Sequence, residues 1–349
     1  MDTLTHALSG ALFARATAST AAPARSLPRR VAAGFFAAAA PDLDIVFSLF
    51  GPLTYLENHR GITHSVLLLP LWALALSWLL AKILREPGGW RALYGVCAMG
   101  LGAHIAGDMI TSFGTIVFAP LSDRRAGIGT TFIIDLWFSG IILAGLGASA
   151  LWRRARWPAV IASVVLAGYV GFQYALKQQA VDFGAQYARK LGLREASIVA
   201  QPRPVSPFNW SVYLSDAEQH RYANINLMRR EPLVAGSDSG FVTRLDAAYQ
   251  PLSSARWELR SRYGDTLQER RLALSAWNSE ALGFFRWFAE LPAFDGISAG
   301  SQCVWFVDLR FFEPGRPWAP FNYGACRDNP AAPWRAHERV GAKGHKPLR

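Results

Sequence analysis

Four histidines, His6, His59, His64 and His104, and four aspartates, Asp42, Asp44, Asp108 and Asp135, stand within or beside apolar stretches of the first half of the chain. An ionised side chain at the centre of a bilayer costs about 2.5–3.5 kcal/mol on insertion scales. Eight such groups in one small bundle need mutual compensation. Pairing with one another supplies some of it. A divalent cation supplies more, because it brings the positive charge that carboxylates lack, and imidazole and carboxylate suit zinc, manganese and iron. Spacing narrows this reading. His104 and Asp108 in "HIAGD" are i and i+4 and share a helix face. Asp42 and Asp44 in "PDLD" reach one site only if the backbone bends, and Pro41 removes a backbone donor and favours a bend. His59 and His64 in "NHRGITHS" flank Gly61, so a turn has to bring them together. Arg60 between them suits an anionic group, since guanidinium matches phosphate bidentately. HExxH is absent, so a zincin-type protease has no direct support. Plainer roles stand beside these: a helix–helix hydrogen bond for His6, a loop position for His59, a headgroup anchor for Arg60 and a helix cap for Asp135.

The elements that must position these groups read as membrane spans. Apolar residues make up 51% of the 349 and charged residues only 17%, against about a quarter in soluble chains. Apolar runs at 4–22, 31–50, 62–81, 93–110, 131–152 and 158–176 approach the ~20 residues needed to cross a bilayer. They predict an α-helical membrane bundle of about six spans, within a range of four to six. With the N-terminus outside, the inner loops carry Arg25, Arg29 and Arg30, then Lys82, Arg85 and Arg91, then Arg153, Arg154 and Arg156, as positive charge favours the inside. All eight polar groups then fall in the outer half or middle of the bundle. The net charge of +11 is absorbed by these loops and the tail, which disfavours nucleic-acid binding.

Beyond the bundle the composition changes. "NWSVYLSD", "SARWELRSRYGD" and "QCVWFVDLRFF" read as strands, and 272–291 has amphipathic helical spacing. The expected organisation is a transmembrane domain over 1–178, a small soluble α+β domain over 179–328 outside the cytoplasm, and a basic disordered tail over 329–349. Cys303 and Cys326 form a disulfide or remain two buried thiols; an extracytoplasmic location permits the bond.

"MDTLTHALSGA", "PDLD", "HRGITHS" and "HIAGDMITSFGT" together resemble the signature blocks of the YdjM-like family, bacterial inner-membrane proteins classed as predicted metal-dependent hydrolases. The resemblance covers roughly residues 1 to 176. It implies that His6, Asp42, Asp44, His59, His64, His104 and Asp108 are the functional polar set; Asp135 joins them on depth. The blocks are also distantly similar to the zinc-dependent phospholipase C group. The expectation is therefore a multi-pass inner-membrane hydrolase holding one or two divalent ions, zinc first. Asp42 or Asp44 is its general base, Arg60 its anion contact, and a lipid or lipid-linked compound, phosphoester first, its substrate. The rivals are an intramembrane metalloprotease, which uses the same metal chemistry, and an ion or proton transporter built on the same cluster. A purely structural anchor leaves eight buried polar residues without a purpose.

Overall fold

The computed structural model describes residues 1–19, 26–152, 155–236, 238–298, 302–314, 319–341 and 344–348. Arg25, Arg153 and Arg154 of the loop-charge argument lie outside the described residues. The chain divides into two compact units, residues 1–50 with 54–175 and residues 51–53 with 176–349.

The first unit is helical: α1 (Thr3–Ala16), α2 (Ser26–Ala39), α3 (Pro52–Asn58), α4 (Leu69–Ile83), α5 (Gly89–Met109), α6 (Leu136–Leu151) and the first part of α7 (Trp157–Lys190). Every predicted span contains a helix, but six spans do not result. Among the described residues, Ser26–Phe50 and Trp157–Lys190 are long and apolar enough to cross a membrane. Pro52–His64 with Leu69–Ile83, bent by 83°, makes a third if the pair is one broken span. The reason is length and polarity. Helices of 14 to 16 residues, α1, α4 and α6, rise only about 21–24 Å at 1.5 Å per residue, short of a ~30 Å hydrocarbon core. The 21 residues of α5 suffice in length but include Arg91, His104 and Asp108.

Small residues let α1, α2 and α5 approach closely. A Cβ added at Gly10 would meet the Gly34 carbonyl oxygen at 2.2 Å, and one added at Gly100 would meet the same oxygen at 3.0 Å. Close backbone approach through glycine and alanine is the packing mode expected of helices in lipid. It brings the His6 face of α1 against the His104 face of α5. After Ala39, with Pro41 unable to donate, α2 tightens into a 3-10 segment, Ala40–Phe50. A second 3-10 turn, Ile62–His64, precedes α4. The left-handed residue in the "NHRGITHS" turn is Arg60, at φ 60°. Gly61 matters for room instead, since a Cβ there would sit 2.9 Å from the Asn58 carbonyl oxygen.

The second unit is rich in β-sheet. Its first sheet orders β1 (Ser197–Pro202), β2 (Asn209–Ser215), β3 (Gln219–Asn226) and β4 (Gln250–Pro251), with β5 (Glu258–Ser261) also paired to β3. The second is an antiparallel meander of β6 (Pro292–Ile297), β7 (Gln302–Asp308), β8 (Asn322–Arg327), β9 (Arg335–Val340) and β10 (Gly344–Pro347). The C-terminal half of α7 covers β2: Leu176, Ala180 and Ala188 share a core with Trp210, Val212 and Leu214. Short helices α8 (Phe241–Asp246), α9 (Leu267–Trp277) and α10 (Gly283–Phe288) complete it. All three predicted strand stretches contain strands. The helix predicted over 272–291 is broken, because α9 ends at Trp277 and a 3-10 turn, Glu280–Leu282, intervenes. The expected disordered tail is also corrected: within it β9 pairs with β8, and β10 with β9. Cys303 and Cys326, directly opposite on β7 and β8, form a disulfide.

Candidate metal centre

Seven of the eight sequence-selected groups gather at one place in the helical unit. His6 comes from α1, Asp42 and Asp44 from the 3-10 segment, His59 and His64 from the turn before α4, and His104 and Asp108 from α5. His64, His104 and Asp108 are fully buried, while the Asp42 side chain stays 13% exposed.

Hydrogen-bond partners assign the ring tautomers. His104 Nδ1 lies 2.6 Å from the Ala38 carbonyl oxygen, which only accepts. Nδ1 therefore donates, and in the neutral ring Nε2 presents a bare lone pair. Thr63 donates its hydroxyl hydrogen to Asp44 Oδ2 at 3.3 Å, so at 2.9 Å it accepts from His64 Nδ1. His64 Nε2 is then also a lone pair. These two nitrogens face each other at 2.8 Å. Asp108 Oδ2 stands 3.1 Å from His64 Nε2 and 3.4 Å from His104 Nε2, and Asp42 Oδ1 stands 3.9 and 3.6 Å away. One donor atom from each of the four residues lies within 4.8 Å of the others. Asp42 Oδ2 and Asp108 Oδ2 have no hydrogen-bond partner among the described residues. Buried acceptors turned on one another call for a shared proton or a cation between them, and two imidazoles with two carboxylates are a donor set for a divalent ion.

The surrounding residues hold this set. Asp44 accepts from His59 Nδ1 at 2.8 Å, the Arg60 backbone N–H at 2.9 Å and Thr63, and sits 3.6 Å from His64 Nδ1. It orients His64 through Thr63, an arrangement typical of residues behind metal-bound histidines. His59 stacks on Tyr55 and serves Asp44. His6 donates to Asp108 Oδ1 at 3.0 Å and stacks on His104 with ring centroids 3.8 Å apart. Arg60, only 3% exposed, meets the same Oδ1 at 2.8 Å and Thr111 Oγ1 at 3.0 Å; the Met1 main-chain nitrogen lies 2.5 Å from it. Arg60 thus balances Asp108 from within, and the expected contact with a substrate anion is corrected. Arg125 donates to the carbonyls of Gly114, Leu56 and His59.

Asp135 does not join the cluster. Its Oδ1 caps α6, accepting from the Trp137 and Phe138 N–H groups at 2.9 Å each. Its Oδ2 accepts from Tyr169 Oη at 2.9 Å and Gln173 Nε2 at 2.7 Å. The ligand expectation for Asp135 rested on depth alone, and capping chemistry took the residue instead. Sequence reasoning missed Thr63, Thr111 and the Ala38 carbonyl. The two threonines lie inside the quoted motifs, but a neutral hydroxyl carries no desolvation signal of its own.

The family described as YdjM inner membrane protein matches residues 1–180, which bears out the resemblance carried by the four sequence blocks. The uncharacterized protein YfhP of Bacillus subtilis (strain 168) is 28% identical over 178 residues, or 48% of this chain and 52% of that protein. The chain thus spans about half the length of that curated relative. No solved structure matches the chain.

Proposed function

Since the chain belongs to the YdjM inner membrane protein family, we propose that its helical unit is a membrane-embedded, metal-dependent hydrolase acting on a lipid or lipid-linked substrate. The observation that carries this reading is the pair of opposed lone pairs, His64 Nε2 and His104 Nε2 at 2.8 Å, with Asp108 Oδ2 and Asp42 Oδ1 beside them. Those four residues are the proposed ligands of one divalent ion, with zinc favoured by the imidazole and carboxylate set. Such an ion supplies Lewis acidity, which activates water and polarises a scissile bond. Asp42 is the proposed general base. It is the member of the four that reaches the surface, and its unpartnered Oδ2 is placed to take a proton. Arg60 and His6 hold Asp108 in place through its Oδ1. Asp44 and Thr63 keep His64 in the tautomer that binds.

The proposed substrate class follows from the rim. Leu43, Ile45, Leu49 and Phe50 are 61–80% exposed on the same 3-10 segment as Asp42. In a 3-10 helix residues i and i+3 eclipse, so Ile45 stands directly over Asp42. A segment that exposes aliphatic and aromatic side chains beside Asp42 suits a compound delivered by its apolar part. The Cys303–Cys326 bond supports an oxidising, extracytoplasmic location for the C-terminal domain.

The test is turnover by the full-length protein in lipid nanodiscs, loaded with zinc, against phosphoester and carboxylester lipids. Hydrolysis by wild type that His104→Ala and Asp42→Asn abolish supports the proposal. Equal hydrolysis by His104→Ala, or none of either bond by fully loaded wild type, contradicts it.

A further inference from the structure

A second site lies away from the metal centre, between α1, α2 and α6. A cleft of about 560 Å³ opens there, within the ~300–1,000 Å³ of small-molecule pockets. Its walls are apolar, formed among others by Ala11, Leu27, Val31, Phe35 and Leu146, and no acidic residue lines it among the described residues. Two polar side chains interrupt the lining, Arg15 and Ser149, 7% and 5% exposed. Arg15 is tied to the Ala155 carbonyl at 2.6 Å, which fixes its guanidinium at this end of the bundle. Ser149 Oγ has no hydrogen-bond partner among the described residues. A helical serine ordinarily bonds back to the carbonyl four residues earlier, so a buried hydroxyl without that bond is a vacant donor in the wall of an apolar cleft.

The same end carries marks of the membrane interface. Trp152 and Trp157, half exposed and with rings 5.6 Å apart, bracket Ala155, as indole side chains do at headgroup level. Exposed Arg156 adds positive charge, and so does Arg30, held by the Ala14 carbonyl and Thr17 Oγ1. Arg15 is nine residues from His6, about 14 Å along α1.

We propose that this cleft binds one membrane phospholipid with an acidic headgroup. An acyl chain lies along the apolar wall, and the phosphate meets Arg15 and accepts from Ser149 Oγ. Hydrocarbon alone explains neither a guanidinium nor a vacant hydroxyl donor there. A soluble anion does not explain the apolar volume, and guanidinium with phosphate is a strong, directional pair. The inference stands independently of the hydrolase reading.

Native mass spectrometry of the full-length protein, released from micelles containing phosphatidylglycerol and diacylglycerol with the same chains, tests it. Wild type should retain phosphatidylglycerol about tenfold over diacylglycerol, which lacks the phosphate, the scale of one charge-assisted hydrogen bond. Arg15→Gln should abolish that preference. Ser149→Ala should lower it about threefold with thermal unfolding unchanged, and it carries the test should Arg15→Gln fail to fold. Glycerol phosphate without acyl chains should not displace the lipid. Equal retention of both lipids, an undiminished preference in either variant, or full displacement by glycerol phosphate overturns the proposal.

Discussion

Two buried aspartates of the helical unit, Asp108 and Asp135, are alike in sequence context and opposite in their surroundings. Each stands in an apolar stretch, and each is nearly or fully buried. Around Asp135, donors and acceptors match: two backbone N–H groups, a tyrosine hydroxyl and a glutamine amide meet its two oxygens, and Thr131 satisfies the other end of Gln173 at 2.6 Å. Around Asp108 the two oxygens part company. Oδ1 receives His6, Arg60 and the Met1 nitrogen, whereas Oδ2 faces two imidazole lone pairs and a second carboxylate. A buried carboxylate is thus no sign of a metal by itself. The sign is an excess of acceptors over donors, which side-chain identity alone does not reveal.

The largest effect should separate the two sites outright. A His64→Ala/His104→Ala protein should bind zinc more than about a hundredfold more weakly than wild type in a competition titration, beyond the ~10–100-fold typical of losing an outer-shell partner. Asp135→Ala should leave zinc affinity unchanged and lower unfolding stability by about 3 kcal/mol, from the lost cap and the stranded Tyr169 and Gln173. Weaker zinc binding in Asp135→Ala would erase the contrast. Asp44→Asn sharpens it from inside the cluster. Zinc should still bind at full stoichiometry, with affinity down about 10–100-fold, because Asp44 positions His64 through Thr63; lost stoichiometry would make Asp44 a ligand. The smallest effect lies in the β-sheet unit. His220 is buried, with Nε2 donating to the Pro292 carbonyl and Nδ1 accepting from Ser215. Burial holds its pKa below the ordinary 6.5. The folded state then binds fewer protons than the unfolded one, so this contribution is complete above pH 6.5 and fades as pH falls below it. The hydrogen-exchange protection factors of β3 in the full-length protein, which divide out the intrinsic pH dependence of exchange, should fall between pH 7 and 5, and less so in His220→Gln.

Much of the cluster was legible because charged residues in apolar runs demand an explanation. The i,i+4 pair His104 and Asp108, the "PDLD" bend and the paired histidines of "NHRGITHS" all reach one place. Roles within the cluster were less legible. Whether Asp44 binds or orients depends on Thr63 and the Arg60 N–H, and whether Arg60 faces a substrate or Asp108 depends on a left-handed turn that sits at Arg60 itself. The fold was legible as helices followed by sheets. Span number was not, because apolar runs mark burial without marking where helices stop. The run at 62–81 begins with His64, committed to the site, and Ser65, whose hydroxyl bonds the Ala119 carbonyl, and α4 starts only at Leu69. The short charged strands β9 and β10 gain their order from pairing with β8, which composition does not register.

The central claim is that four lone-pair atoms around Asp108 share a cation. Elemental analysis of the purified full-length protein, beside the His64→Ala/His104→Ala variant, measures this directly. The account predicts about one tightly held divalent metal per chain in wild type, zinc foremost, and almost none in the variant. Wild type that neither carries nor takes up metal, or a variant that keeps all of it, would contradict the account.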